Sequence, residues 1–145
     1  MLNSKSYNSV IHYLENHDGE FIAVLEKIIK FAVNKFKNTE ELREEIVDFD
    51  DIYQIIVTDV NFNFSLKVAN GSIIYKNGIN RSASVKIMYT KDTFVRILKR
   101  EVSGIDAFMK GVIKVDGELS QGLRFTKLFQ LFMKYLNNGF QKEDI

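Results

Sequence analysis

Apolar positions in the first third of the chain recur every three to four residues, which predicts helices. A first helix is expected over about residues 6–16, and a second over 21–36, where a clear apolar stripe alternates with charged positions. A third, short helix is expected from about 39 to 47. The stripe of the second helix is long enough to cover a layer of the core.

From Ile52 onward the period changes to two, which is typical of half-buried strands. Four apolar residues of one run alternate with polar ones, and Asn70-Gly71 follows with the two residues that a tight type I′ hairpin favours. A second strand returns to Asn77-Gly78, and a third run alternates from Val85 to Tyr89. The apolar positions of the first run are Phe62, Phe64, Leu66 and Val68. Two such turns predict an antiparallel meander.

The last third of the chain predicts helices around one final strand. Thr90 can cap a helix ending near Leu98, Ser103-Gly104 breaks it, and a short helix over 105–110 leads into a strand over 112–115. The last helix, 119–136, is unusual because its apolar residues exceed the roughly 100° arc that a sheet-covering helix needs. They are Leu123, Phe125, Leu128, Phe129, Leu131, Phe132, Met133, Tyr135 and Leu136. The excess surface needs another protomer, a second layer of the same protein, or an apolar ligand.

The size and composition indicate one globular domain spanning 1–145, with helices over about 6–48 and the sheet and C-terminal helices over about 50–137. The 145 residues include twelve Phe but no Trp. They include no Cys, which excludes disulfides and thiolate chemistry. No signal peptide and no apolar run of membrane-spanning length is apparent. We therefore expect a soluble, cytoplasmic protein.

Charge is distributed unevenly along the chain. The net charge of +1 argues against a nucleic-acid partner. Six Lys or Arg stand against eleven Asp or Glu through residue 51, and fourteen against eight afterwards. The acidic cluster comprises Glu40, Glu41, Glu44, Glu45, Asp48, Asp50 and Asp51. We interpret it as a solvated helix face and loop; alternatively, the basic second half makes transient contact with an anionic membrane surface.

Candidate catalytic groups are few. His12 and His17 are five residues apart, a spacing that does not place them on one helical face. Asp106, Asp116 and Glu118 flank the last strand, where turn and capping roles compete with that of a buried general base. No phosphate-binding loop, nucleophile elbow or metal-ligand motif is found. We expect no enzyme activity, no cofactor and no metal site.

The segment from Phe94 to Leu128 resembles the sterol carrier protein type-two (SCP2-like) domain, and the likeness extends over about residues 50–135. The residues that carry it are Phe94, Leu98, Ala107, Phe108, Gly111, the strand 112–115, Gly117 and Leu128. The resemblance implies an α/β (α+β) fold with a mainly antiparallel five-stranded sheet and helices covering one face. It also implies an apolar tunnel, between the sheet and the C-terminal helices, for fatty acyl chains, acyl-CoA, phospholipid or sterol.

A cavity lined by Phe and Leu can bind long chains without a specific polar contact, because each methylene removed from water contributes about 0.8 kcal/mol. Ordinary core packing explains each candidate taken singly. The candidate lining is Phe94, Leu98, Ile105, Phe108, Met109, Phe125, Leu128, Phe129 and Phe132. Lys110, Arg124 and Lys127 could attract a carboxylate or phosphate at its mouth, or could simply be solvated.

Two functions follow from this combination. The first is non-enzymatic binding or carrying of a lipid: fatty acid, acyl-CoA, phospholipid or a sterol-like molecule. The alternative is a dimerisation or scaffold module that presents a lipid-like intermediate to partner enzymes. In that case the wide apolar face of the last helix is an interface, and a homodimer is possible.

Overall fold

The computed structural model describes the backbone over residues 18–139 and the side chains over residues 20–134. The helix predicted over 6–16 and both histidines, His12 and His17, lie outside the described residues. The side chains of Tyr135 and Leu136 lie outside them too.

Within the described chain, five strands form one mixed sheet with the order β3-β2-β1-β4-β5. Its strands are β1 (Asp50–Val57), β2 (Phe62–Ala69), β3 (Ser72–Asn77), β4 (Val85–Tyr89) and β5 (Lys114–Asp116). Three neighbouring pairs are antiparallel, whereas β1 and β4 are parallel. The expectation of a mainly antiparallel five-stranded sheet holds, with one parallel pair that the sequence did not indicate.

The hairpin at Asn70-Gly71 is as predicted. Asn70 has φ 54° and Gly71 has φ 74°, and Ala69 pairs with Ser72 across the two-residue turn. The apolar face of β2 is buried as predicted, since Phe62, Phe64, Leu66 and Val68 are all buried, but Ser65 on the predicted polar face is buried as well. Local turn chemistry and period-two patterning therefore determine this part of the fold.

The predicted meander is wrong beyond this hairpin, because β4 pairs with β1 instead of β3. The connection between β3 and β4 forms hydrogen bonds with β1 and β2. The Gln54 Nε2 donates to the carbonyl oxygens of Phe64 (3.0 Å) and Gly78 (3.1 Å), and its Oε1 accepts from the Asn80 amide at 2.7 Å. Ser84 then donates its amide to the Ile52 carbonyl at 3.0 Å. These bonds bring β4 to the free side of β1, where it runs parallel.

Five helices lie within the described residues: α1 (Asp18–Asn38), α2 (Glu40–Glu45), α3 (Lys91–Leu98), α4 (Gly104–Met109) and α5 (Leu119–Gly139). The predicted cap at Thr90 is confirmed, and Ser103, predicted only as part of a break, caps the next helix. The Thr90 hydroxyl accepts from the Thr93 amide (3.2 Å), and the Ser103 hydroxyl accepts from the Asp106 amide (3.0 Å). Both α3 and α4 are therefore fixed by local sequence signals.

The last strand starts two residues later than predicted. The amides of Val112 and Ile113 both donate to the Ala107 carbonyl, at 2.9 and 3.2 Å, and so close the end of α4. Those two residues are consequently part of a turn, and pairing with β4 begins at Lys114.

The core lies between one face of the sheet and the helices. Tyr53, Ile55 and Val57 point from β1 toward it and are fully buried. From α1, Glu26 accepts a 2.9 Å hydrogen bond from the Tyr75 hydroxyl on β3, which ties that helix to the sheet edge. The other end of the same sheet face, at β4 and β5, is covered by α4 and α5.

Gly117 connects β5 to α5 at a position that tolerates no side chain. Its φ is 144°, and an added Cβ would lie 2.9 Å from the Ser84 carbonyl oxygen and from the Val85 side chain. We expect Gly117→Ala to lower the free energy of unfolding by about 1–3 kcal/mol, measured by urea denaturation. Gly104→Ala is the matched control, because that site has open space and ordinary φ; equal losses in both variants would contradict the argument.

Candidate functional site

The main cavity, of about 330 Å³, lies between the sheet at β4 and β5 and the helices α4 and α5. Its size falls near the lower end of the range for small-molecule sites. No charged side chain is among the described residues that line it. The lining consists of Ile87, Tyr89, Ile97, Gly104, Ile105, Phe108, Met109, Ile113, Val115, Gly117, Leu119, Gly122, Leu123, Phe125, Thr126, Phe129 and Gln130.

The rim of the main cavity is apolar and exposed to solvent. Met109 is 76% exposed, Leu119 is 61% exposed and Leu123 is 54% exposed, whereas Ile87 and Tyr89 at the floor are buried. Large apolar side chains left exposed together around an opening are typical of a surface that binds a ligand or a partner. The cavity is therefore accessible from outside through an apolar mouth.

A second, inner cavity of about 40 Å³ lies deeper, toward α1. Tyr89, Phe125 and Phe129 line both cavities and form the wall between them. The Phe125 and Phe129 ring centroids are 6.2 Å apart, and Phe94 packs edge-to-face on Phe129 at 6.0 Å. Continuation into a tunnel remains a prediction.

The candidate lining residues from the sequence divide into three groups. Five line the main cavity: Ile105, Phe108, Met109, Phe125 and Phe129. Phe94, Leu98 and Phe132 line the inner cavity, together with Phe125 and Phe129. Leu128 lines neither of these cavities and is fully buried in the core. The role of these residues in ligand binding remains a prediction.

Sequence reasoning missed the strand side of the main cavity. Ile87 and Tyr89 alternate along β4, and Val115 lies directly opposite Ile87 on β5. The period-two pattern of β4 was visible in the sequence. It could have identified Ile87 and Tyr89 once the sheet face covered by α5 was known. The sequence did not indicate that β5 pairs with β4, which places Val115 in the same cavity wall as Ile87.

A buried carboxylate at the start of β1 fixes the first turns of α5. Asp51 is only 2% exposed and forms a bidentate ion pair with Arg124, whose Nε and terminal nitrogen lie 2.6 and 2.8 Å from its oxygens. Tyr53 and Gln121 donate to the same carboxylate at 2.7 and 3.2 Å. Because Gly122, Leu123 and Phe125 belong to the same helical turns, this pairing positions one wall of the main cavity.

The pKa of Asp51 reflects two opposing effects. Burial raises it, whereas the hydrogen bonds from Arg124, Tyr53 and Gln121 lower it, and the net pKa lies below the ordinary value of 3.8. Because Asp51 is buried, the interpretation of the acidic cluster as solvated is wrong for this residue. It describes the other six, which are all exposed.

Two of the three basic residues predicted at the mouth are paired within the protein. Arg124 binds Asp51, and the Lys127 ammonium lies 3.3 Å from the Glu45 carboxylate. Lys110 is exposed and caps the C-terminus of α4. These pairs join the acidic first part of the chain to the basic last helix.

A basic depression of about 520 Å³ adjoins the main cavity. Ile97, Gly104, Phe129 and Gln130 line both. The depression has Arg100 and Lys134 in addition, and both are exposed. Two cationic side chains therefore lie next to the apolar main cavity.

The described residues contain no group of three or more His, Asp or Glu side chains arranged to hold a metal ion. None of the helices in this part of the chain is long and apolar enough to span a bilayer.

Comparison with protein families gives one match. Residues 32–130 match the family model described as the SCP-2 sterol transfer family. No curated protein matches the chain. The matched range extends from the last turns of α1 through most of the described part of α5, and thus includes every element that lines the main cavity.

Solved structures with this fold include carriers. A crystal structure of sterol carrier protein 2 has a TM-score of 0.61 at 14% identity and covers 77% of this chain and 94% of its own. The apo form of sterol carrier protein 2 from Yarrowia lipolytica has a TM-score of 0.59 at 16% identity, covering 84% and 96%. At these identities the likeness shows the fold alone.

An enzyme also contains a similar region. The stereoselective inverting sec-alkylsulfatase Pisa1 from Pseudomonas sp. is 25% identical, with a TM-score of 0.52. The match covers 59% of this chain but only 14% of the alkylsulfatase, so the chain corresponds to a small part of that enzyme.

Proposed function

The chain belongs to the SCP-2 sterol transfer family, and we propose that it binds and carries one lipid molecule in the main cavity. The observation that carries this proposal is the main cavity itself, which is apolar, without charged lining residues and open through an exposed apolar rim. Such a site binds by removing apolar surface from water and needs no reaction chemistry.

The physical chemistry of the lining supports a lipid over a polar metabolite. Each methylene transferred from water into the cavity contributes about 0.8 kcal/mol, whereas a charged group placed there would lose its hydration without a partner. A fatty acid, acyl-CoA, phospholipid or sterol-like molecule each has a suitable apolar part. The basic depression with Arg100 and Lys134 offers a place for an anionic outer group.

Titration with a fluorescent fatty acid tests this proposal. We expect saturable binding of one molecule per protein, competed by unlabelled oleate and accompanied by a blue shift as the probe enters an apolar environment. Absence of saturable binding by the folded protein, after any bound lipid has been extracted, would contradict the carrier function.

The alternative is a module that dimerises or presents a lipid-like intermediate to partner enzymes. The alkylsulfatase likeness supports it, because there a comparable region is a small part of an enzyme. The exposed rim of Met109, Leu119 and Leu123 would then be an interface. Analytical ultracentrifugation, combined with the fatty-acid titration, distinguishes the carrier from the dimerising module: a stable dimer that does not bind the probe favours the dimerising module. Contact with an anionic membrane surface remains a prediction.

A further inference from the structure

Tyr89 introduces a hydroxyl into an otherwise apolar part of the site. It is the last residue of β4, is 4% exposed, and lines both the main cavity and the inner cavity. Its ring stacks on Phe94 with a centroid distance of 5.1 Å and an interplanar angle of 1°. The ring is therefore held by packing, independently of what the hydroxyl contacts.

The Tyr89 hydroxyl has no hydrogen-bond partner among the described residues. The other two tyrosine hydroxyls with large pKa shifts are bonded, that of Tyr53 to Asp51 and that of Tyr75 to Glu26. Among the described residues, every side-chain nitrogen or oxygen that is fully buried has a hydrogen-bond partner. Since the Tyr89 hydroxyl has no such partner, it is not fully enclosed by protein atoms. The open spaces beside this residue are the main cavity and the inner cavity, both of which it lines.

The other polar side chains of the main cavity differ from Tyr89. The Thr126 hydroxyl donates to the Gly122 carbonyl of its own helix at 3.1 Å. Gln130 is exposed and also lines the basic depression, near the surface. Among the described lining residues, Tyr89 thus has the one buried side-chain hydroxyl that is not already bonded within the protein.

Resting on the proposed lipid binding, we infer that the Tyr89 hydroxyl is a specificity-determining group that hydrogen-bonds an uncharged oxygen at the inner end of the ligand. The ligand class is a lipid with a hydroxyl or carbonyl oxygen on its buried end. A purely hydrocarbon end would remove water from this hydroxyl without replacing the hydrogen bond, which is unfavourable. A carboxylate would be a buried charge with a single donor, which is less favourable still.

The protonation state of Tyr89 is consistent with this role. Burial raises its pKa above the ordinary value of 10.0, so the phenol stays protonated and can donate as well as accept throughout the neutral range. The hydroxyl therefore suits either a hydroxyl or a ketone oxygen on the ligand.

The test compares two ligands with the same number of non-hydrogen atoms, n-decanol and n-undecane, as competitors of the neutral fluorescent probe N-phenyl-1-naphthylamine. The measured quantity is the ratio of the n-decanol affinity to the n-undecane affinity. We expect this ratio to be about tenfold higher in the wild-type protein than in Tyr89→Phe. Tyr89→Phe keeps the aromatic stacking, so the alkane affinity should be unchanged or slightly higher.

Tyr75→Phe is the matched control, because it removes a tyrosine hydroxyl on the same sheet face that bonds Glu26 and lines neither the main nor the inner cavity. It should leave the alcohol-to-alkane ratio unchanged. The same ratio in wild type and Tyr89→Phe would overturn the role of Tyr89 while leaving lipid binding intact. Failure of the wild-type protein to bind the probe and both competitors would instead overturn the proposed function.

Discussion

Phe129→Asp is expected to abolish lipid binding, with a loss of affinity on the order of 100-fold or more. The Phe129 ring lies in the wall between the main and inner cavities, and also lines the basic depression. An aspartate there would replace the apolar ring beside Phe94, Phe125 and Tyr89 with a carboxylate, so that a lipid chain reaching this wall would meet a charged group instead of apolar surface. Fluorescent fatty-acid titration measures the effect.

Loss of folding must be separated from loss of binding. Leu123→Asp introduces the same charge at the rim, where the side chain is 54% exposed, and should weaken binding several-fold without unfolding the protein. Ile79→Asp is the control, since Ile79 is 63% exposed in the β3–β4 connection and lines none of the three cavities. Unchanged titrations for folded Phe129→Asp and Leu123→Asp would show that the ligand binds elsewhere.

Asp51→Asn is expected to lower the free energy of unfolding by roughly 2–3 kcal/mol. The change removes the charge that Arg124 pairs with bidentately and weakens the hydrogen bonds from Tyr53 and Gln121. Arg124 remains partly exposed and can be solvated, which limits the loss. Asp50→Asn is the matched control, because Asp50 is the exposed neighbour and should change stability by no more than about 0.5 kcal/mol.

The same pair gives a pH dependence with a defined sign. The folded-state pKa of Asp51 is below the ordinary value of 3.8, so its contribution to stability is fully present above that pH. It is lost as pH falls below about 3.8 through the folded-state pKa. The difference in unfolding free energy between wild type and Asp51→Asn should therefore be constant near neutral pH and shrink as the pH falls from about 3.8 toward the folded-state pKa. A difference that stays constant over this range would contradict the assignment.

Local signals in the sequence predicted the elements of the fold well. Positive φ at Asn70 and Gly71, the Thr90 cap and the burial of the apolar face of β2 are properties of a few adjacent residues, and each is confirmed. The order of the strands in the sheet, in contrast, involves contacts between residues that are far apart in the sequence. The parallel pairing of β4 with β1 is accompanied by long-range contacts such as those of Gln54, whose side chain bonds residues ten and more positions away. Spacing along the chain does not encode such contacts.

In the candidate site, too, features set by local sequence were predicted and features set by distant contacts were not. The apolar excess of the last helix predicted a second partner for part of its surface, and Phe125 and Phe129 of that helix line both the main and the inner cavity. Asp51 looked like one more charge in an acidic run, because its burial depends on Arg124, seventy-three positions later. Tyr89 looked like an ordinary strand residue, because its free hydroxyl is defined only by the cavity around it.

Native mass spectrometry of the gently purified protein, with the released ligand identified by lipid analysis, shows whether the protein carries a lipid. We expect a protomer mass increased by one lipid, with this increase absent from Phe129→Asp and retained in Ile79→Asp. A protein at its unliganded mass, which after purification also fails to bind a fluorescent fatty acid, would contradict lipid carriage.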